Sequence, residues 1–259
     1  MDDTTMLTAY KTLRVTAEGP VLNVQLHRPE AGNAVDGQML TDLLDVLRAL
    51  EDDSTVRVMV LSGSGEHFCQ GGDRAEFPAL LDKDPSGSEL RALANKAQRV
   101  CATLAQLGVV TIARLHGDVI GAGLGLAVFC DLRVGAENSR FRMPEVGLGV
   151  PPAWGGVLPR LAEEAGQAQV RRLLLTAEVF DAARAERLSI LHEVVPADDL
   201  DAAVTRWVKP ILRRDATTMR ITKSMLNARA GATQLSAGAY FDEELLTAAM
   251  SRRALTRRT

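Results

Sequence analysis

Apolar and polar residues form short blocks along the first part of the chain, and these blocks predict strands and helices in turn. Residues 21–26 alternate with a period of two after the turn at Gly19-Pro20, which predicts a strand. From Gly37 to Leu50 apolar residues recur at helical spacing with charged residues between them, which predicts an amphipathic helix. Residues 56–61 are rich in β-branched side chains and predict a buried strand. The order strand, helix, strand indicates an α/β or α+β domain.

The pattern continues through the middle of the chain and then becomes helical. Residues 79–88 are polar and turn-rich, which predicts a mobile surface loop, and a long helix follows to about Leu107. A strand at 109–113 then leads into a glycine-rich turn and an apolar helix. Further elements are predicted as strands at 131–134, 141–143 and 192–195 and as helices at 158–165, 167–175, 182–188, 200–213 and 217–230. No linker or shift in composition divides the chain into independent domains.

Charge and cysteine content exclude several classes of protein. The 259 residues carry a formal net charge of −3 with no long basic run, which argues against a nucleic-acid partner and favours a small molecule or a protein. The first residues lack the features of a signal peptide, and no apolar run is long enough to cross a membrane. Cys69, Cys101 and Cys130 form no CxxC pair, so neither a disulfide framework nor a metal site is indicated. We therefore expect a cytoplasmic protein.

Three segments hold most of the residues suited to chemistry: 68–73, 117–125 and 143–145. The glycine-rich turn lacks both the Gly-x-Gly-x-x-Gly spacing of a dinucleotide site and the Lys-Ser/Thr of a phosphate loop. It does offer backbone N–H groups at the start of a helix, where the helix dipole favours negative charge. Each segment alone is weak evidence for any one function. The order of the segments along the chain is more specific.

These segments and their neighbours contain a set of short motifs in a fixed order: Arg28-Pro29, Asn33-Ala34, Phe68-Cys69-Gln70-Gly71-Gly72-Asp73, His116-Gly117, Gly121-Ala122-Gly123, Cys130-Asp131, Pro144-Glu145, Gly155-Gly156 and Arg160-Leu161. Taken in order, these motifs resemble the crotonase superfamily of enoyl-CoA hydratases and isomerases, over roughly residues 10–245.

The resemblance implies an α/β fold, a crotonase-like spiral of ββα units over residues 1–195, with a C-terminal helical region at 196–259 that mediates trimer assembly. The expected assembly is a homotrimer or a hexamer. The expected substrate is an acyl thioester of coenzyme A or of an acyl-carrier-protein phosphopantetheine arm. No separate cofactor and no metal are implied.

The resemblance also implies an oxyanion hole formed by the backbone N–H groups of Gly72 and Ala122, which would stabilise a thioester enolate. Ala122 replaces the commoner glycine, and its N–H stays usable if its φ is negative. The other positions implied to bind substrate are Arg28, Ala34, Gln70, Gly71, Asp73, Gly121 and Gly125. Among these, Arg28 is a candidate for the coenzyme phosphates, whereas Asp73 is expected to bond to backbone N–H groups within its loop.

The acid–base residues show one departure from the superfamily. Its hydratases commonly use two glutamates; Glu145 matches the second, and Gly125 stands at the first. Asp118 and His116 are lesser candidates for a further acid or base. Hydration or dehydration of an acyl thioester with Glu145 as acid and base is our first interpretation.

Several alternatives remain open. A Δ3-Δ2-enoyl-CoA isomerase relies on a lone glutamate at the position of Glu145, and polyketide β-branching dehydratases also have glycine at the position of Gly125. Decarboxylation is a further chemistry of the superfamily. An inactive assembly partner with the crotonase fold is the non-enzymatic alternative. The chain ends soon after Glu243-Glu244, where superfamily members continue into another helix, so a contact from that helix to the adenine end of the coenzyme is in doubt.

Overall fold

The computed structural model describes residues 5–6, 10–236 and 242–258. The strands are β1 (Thr5–Met6), β2 (Leu13–Glu18), β3 (Val21–Leu26), β4 (Val58–Gly63), β5 (Val110–Leu115), β6 (Asp118–Ile120), β7 (Leu132–Ala136), β8 (Arg140–Arg142), β9 (Phe180–Asp181) and β10 (Glu193–Val195). The helices are α1 (Gly37–Asp52), α2 (Glu76–Lys83), α3 (Ser88–Gln106), α4 (Ala122–Val128), α5 (Val157–Ala165), α6 (Gln167–Thr176), α7 (Ala182–Arg187), α8 (Leu200–Arg213), α9 (Ala216–Ser236) and α10 (Asp242–Arg258).

Two sheets organise these elements. The larger sheet has the strand order β1-β2-β3-β4-β5-β7-β10, in which β1, β2 and β3 are antiparallel and the strands from β3 to β10 are parallel. The smaller sheet has the order β6-β8-β9. Parallel strands need crossover connections, and the helices between the strands supply them. Strands β5 and β6 belong to different sheets, so the short turn at 116–117 carries the chain from one sheet to the other.

The larger sheet is covered on both faces. In β4, Val58 and Val60 pack with residues of α8, whereas Met59 and Leu61 join the main core on the opposite face. This division follows from the two-residue repeat of a strand, which sends alternate side chains to opposite faces. A continuous apolar run therefore marks a strand buried on both sides, as its sequence predicts.

The prediction of a loop at 79–88 is wrong for residues 79–83, because α2 continues to Lys83. Leu81 is buried in a small apolar cluster that includes α3 and α10, and Phe77 and Leu80 pack against it. This packing stabilises a helix that the polar residues alone do not indicate. The turn is limited to residues 84–87.

Two further elements differ from the sequence-based prediction. Strand β6 lies within the segment that was assigned to a glycine-rich turn. Residues 242–258 form the 17-residue helix α10, which has Glu243-Glu244 in its first turn and continues beyond them. Among the described residues, no helix is both long and apolar enough to cross a membrane.

Candidate active site

A cavity of about 540 Å³ brings together the three segments that the sequence singled out. Its polar side is formed by 70–72, by the start of α4 and by Pro144-Glu145. Its apolar side is formed by α2, by residues of 148–154 and by α10. Segments distant in sequence thus surround one space large enough for a small acyl group.

The N–H of Gly72 faces away from the strand-like segment that supports it. The N–H of Val35 donates to the carbonyl of Gly71 at 2.8 Å, and the N–H of Asp73 donates to the carbonyl of Val35 at 2.8 Å. The C=O of Gly71 and the N–H of Gly72 belong to one trans peptide and point in opposite directions, so the N–H of Gly72 points away from Val35. Gly72 lines the cavity, which places this donor beside it.

Ala122 supplies a second N–H because it is the first residue of α4. The first N–H groups of a helix have no partner within the helix, and they carry the positive end of its dipole. The left-handed backbone of this turn is at Gly121, with φ 49°, and Ala122 is not among the residues with positive φ. Its alanine side chain is therefore accommodated, and its N–H remains available at the cavity.

Glu145, the predicted acid–base residue, lines the cavity. Its Oε1 lies 3.0 Å from the position that a Cβ on Gly121 would take, so only glycine fits there without displacing the carboxylate. Its Oε2 is buried and has no hydrogen-bond partner among the described residues. Burial raises the pKa of Glu145 to about 7, and nearby Arg142 opposes this only weakly. A carboxyl group with this pKa exchanges protons readily near neutral pH.

The space beside Gly125 is filled by an aromatic ring. A Cβ at Gly125 would lie 2.8 Å from Cζ3 and 3.0 Å from Cε3 of Trp154. Trp154 lines the cavity, whereas Gly125 itself is buried behind it. A glutamate at position 125 would require the indole of Trp154 to move. With glycine at this position, α4 supplies no carboxylate next to Glu145.

The apolar wall is continuous with the small cluster under α10. Leu246 and Met250 of α10 line the cavity together with Leu81 of α2. Helix α10 is held in place at its start, where Asp242 Oδ2 accepts from the N–H of Gly156 at 2.9 Å. The C-terminal helix of the same chain thus contributes to the surface that an acyl tail would contact.

Arg28 and Asp73 support the site from outside the cavity. Arg28 forms ion pairs with Asp36 at 3.0 Å and with Asp73 at 3.1 Å, and it donates to the carbonyl of Ala34 at 2.6 Å. Asp73 Oδ1 accepts from the N–H of Ala75 at 3.0 Å, which is the expected bond to the backbone of its own loop. The contact of Arg28 with a coenzyme phosphate stays a prediction.

Asp118 and His116, the other acid–base candidates from the sequence, do not line this cavity. Asp118 does not line the cavity, and its Oδ2 accepts from Gln70 Nε2 at 2.9 Å and lies 3.6 Å from His67 Nδ1. His116 lies at a separate polar cleft, with Nε2 at 2.9 Å from the carbonyl of Gly65. Burial lowers the pKa of His116, so the neutral imidazole is favoured. Neither Asp118 nor His116 is positioned to act as a second acid or base beside Glu145.

The cysteines near the site are packing residues. Cys69 and Cys130 are fully buried, and burial raises the pKa of each thiol to about 12. A thiolate nucleophile needs a lowered pKa, so neither residue is suited to covalent chemistry.

Sequence reasoning missed the aromatic and apolar side of the cavity. Phe77, Trp154, Leu246 and Met250 come from three separate parts of the chain, and only the fold brings them together. Trp154, just before Gly155-Gly156, was the one sequence signal that pointed to this side of the cavity. A bulky aromatic residue beside glycines is unusual in a solvated loop, which indicates that its ring is packed.

The comparisons with known proteins identify the family of the chain. The model of the enoyl-CoA hydratase/isomerase family matches residues 16–257. A probable enoyl-CoA hydratase of Mycobacterium bovis is 32% identical over 242 residues, which cover 93% of this chain and 91% of the relative. Crotonyl-CoA hydratase of Syntrophomonas wolfei is 32% identical over 222 residues, which cover 85% of this chain and 82% of the relative.

A solved structure shows the same fold. The crystal structure of an enoyl-CoA hydratase from Shewanella pealeana superposes with a TM-score of 0.80 and 29% identity, covering 86% of this chain and 82% of that chain. The crotonase-like α/β architecture expected from the resemblance is thereby confirmed. The chain belongs to the enoyl-CoA hydratase/isomerase family.

Proposed function

We propose that this protein adds water to, or removes it from, the α,β bond of an acyl thioester of coenzyme A. The observation that carries the proposal is that Glu145, whose Oε2 is buried and whose pKa is raised to about 7, lines the same cavity as Gly72 and Ala122. Hydration of enoyl thioesters is also the activity named for the relatives at 32% identity.

The two N–H groups act on the thioester oxygen. When water adds to the β-carbon, negative charge develops on that oxygen as an enolate. Donors fixed beforehand stabilise this charge without reorganisation, and loss of one such donor costs about 3 kcal/mol in other enzymes. The helix dipole at Ala122 acts in the same direction.

Glu145 then moves both protons. As a carboxylate it accepts a proton from the attacking water, and the resulting carboxylic acid returns a proton to the α-carbon of the enolate. The same carboxyl group ends the cycle ionised, so one residue completes the reaction. Dehydration follows the same steps in reverse.

A second candidate function is double-bond isomerisation from the 3- to the 2-position. The observation that favours it is glycine at position 125, next to the indole of Trp154, so that α4 supplies no second carboxylate beside Glu145 to hold the water. Isomerisation needs no water, because Glu145 would remove a proton from C2 and return it at C4.

Assays with three matched thioesters distinguish the candidates. Purified protein is incubated separately with 2-enoyl, 3-hydroxyacyl and 3-enoyl thioesters of one chain length, each on coenzyme A and on an acyl carrier protein. Interconversion of the first two supports hydration, whereas turnover of the 3-enoyl compound alone supports isomerisation and contradicts our proposal. No turnover and no binding of any of them would favour an inactive assembly partner. A preference for the carrier-protein forms would point to a dehydratase of the β-branching kind.

A further inference from the structure

Two glycines of the α4 turn place Glu145 and Trp154 on one face of the helix. Gly121 and Gly125 are one turn apart, and the N–H of Gly125 donates to the carbonyl of Gly121 at 2.9 Å. The Cβ position at Gly121 is 3.0 Å from Glu145 Oε1, and that at Gly125 is 2.8 Å from Trp154 Cζ3. Residues four apart lie on the same helix face, about 6 Å apart along the axis. The carboxylate and the indole therefore border the same stretch of α4.

The segment that carries Trp154 is fixed by its neighbours. A Cβ on Gly155 would lie 2.6 Å from Cys101 Sγ, so this backbone is pressed against α3. The next residue, Gly156, donates its N–H to Asp242 at the start of α10. These two contacts fix the backbone that directly follows Trp154, so the position of this residue in the cavity wall is set by α3 and α10.

A second ring borders the other oxyanion donor. The Cζ atom of Phe77 lies 3.0 Å from the Cβ position at Gly72, and both residues line the cavity. Each N–H donor is thus carried by a segment with an aromatic ring against it: Phe77 beside Gly72, and Trp154 beside the helix of Ala122. Both rings therefore line the cavity that also contains Gly72 and Ala122.

We propose that Trp154 determines the acyl specificity of this cavity by excluding a substituent on the β-carbon of the acyl group. The inference rests on the proposed function, because it requires an acyl thioester in the cavity. Straight acyl chains fit between the rings, and their tails reach the apolar wall of α2 and α10. A branch at C3 collides with the indole, since the ring cannot retreat towards α4, where Gly125 already contacts it.

Binding of saturated thioesters tests this without any turnover. Butyryl-CoA and 3-methylbutyryl-CoA differ by one methyl group at C3, and isothermal titration calorimetry gives the Kd of each. Wild-type protein is expected to bind butyryl-CoA about tenfold or more tightly than the branched analogue, which is the usual range for one misplaced methyl group. Trp154→Ala should bring the ratio close to one, and Trp154→Phe should give an intermediate value.

The other tryptophan provides the matched control. Trp207 belongs to α8, packs against the opposite side of the sheet and does not line the cavity. Trp207→Phe should keep the wild-type ratio of Kd values, and it leaves Trp154 as the sole tryptophan. Its fluorescence should then change on saturation with butyryl-CoA and not with free coenzyme A.

The outcomes separate the two proposals. If butyryl-CoA binds but the Kd ratio is the same in wild type, Trp154→Phe and Trp154→Ala, the role of Trp154 is wrong while the proposed function stands. If neither thioester binds to the wild-type protein, both proposals fail. A ratio that falls only in the Trp154 variants, with the fluorescence change in Trp207→Phe, supports the inference.

Discussion

Glu145 is the residue on which the proposed chemistry depends, and its environment sets the pH range of activity. Burial raises its pKa to about 7, so the carboxylate form that accepts a proton from water increases as pH rises through about 7. We expect the hydration rate to rise across this range and then level off. Glu145→Gln should lower kcat by about 10²- to 10⁴-fold, and a pH profile of kcat/KM for wild type checks the position of the rise. Unchanged turnover in Glu145→Gln would contradict the mechanism.

The same carboxyl group links stability to pH. Its pKa in the folded protein, about 7, lies above the value of 4.5 for an exposed glutamate, so the folded state holds the proton more tightly. The contribution to stability is complete below about pH 4.5 and is lost as pH rises through about 7. Glu145→Gln removes this dependence, and its melting temperature should exceed that of wild type most clearly at pH 8. Thermal unfolding of both proteins at pH 5 and pH 8 measures the difference; a larger gain at pH 5 would contradict it.

Gly125 and Trp154 form a contact whose cost can be measured. A methyl group at position 125 would lie 2.8 Å from the indole, and overpacking of this kind destabilises proteins by about 1–3 kcal/mol. We therefore expect Gly125→Ala to lower the free energy of unfolding by this amount in urea titrations. The matched control is Gly147→Ala, because the nearest atom to its Cβ position is 3.9 Å away. Equal stability of the two variants would show that the ring moves easily, which would also weaken the role given to Trp154.

At the scale of elements, the spacing of apolar residues predicted most of the helices and strands that local sequence determines. Strand β3 and helix α8 have the bounds that their apolar patterns predict, because each has one clear repeat. Helix α2 was missed because its stability depends on Phe77 and Leu81 meeting α3 and α10, which the local sequence does not show. The residues on the polar side of the cavity were singled out by the resemblance to the superfamily, and their roles stay a prediction. The apolar side was not, since Trp154 has no fixed spacing to Gly125.

Helix α9 is attached to the body of the protein by an ion pair between a buried lysine and a partly exposed aspartate. Lys223 is 6% exposed, and its Nζ lies 2.7 Å from Asp131 Oδ2 and 2.8 Å from the carbonyl of Val109. Lys223→Met keeps the apolar stem but leaves Asp131 without its cation, and loss of one partner of a buried pair costs about 3–5 kcal/mol. We expect a loss at or somewhat below this range, because Asp131 is partly exposed.

A double-variant cycle isolates this interaction. Asp131→Asn combined with Lys223→Met should recover part of the lost free energy of unfolding, because no uncompensated charge remains. Additive losses in the two single variants would show that the ion pair does not anchor α9.

At the scale of the whole molecule, the outer face of α9 carries exposed apolar residues that bear on assembly with other copies of the chain. Ile221, Met225 and Leu226 are 52%, 71% and 68% exposed, and the first two are one helical turn apart. Grouped apolar residues on a surface are a common feature of protein interfaces. Because the sequence resemblance implies a homotrimer or a hexamer, we expect a second copy of this chain to cover the patch.

Charges placed in that patch should separate the copies. A buried glutamate at an apolar interface loses its hydration without gaining a partner, so Met225→Glu combined with Leu226→Glu should shift the protein towards monomers. Ala202→Glu is the matched control, because Ala202 is exposed on α8, away from the patch. Sedimentation velocity over a range of concentrations measures the populations. If the control and the double variant sediment alike as assemblies, α9 does not form the interface; if wild type is already monomeric, the expected trimer is wrong.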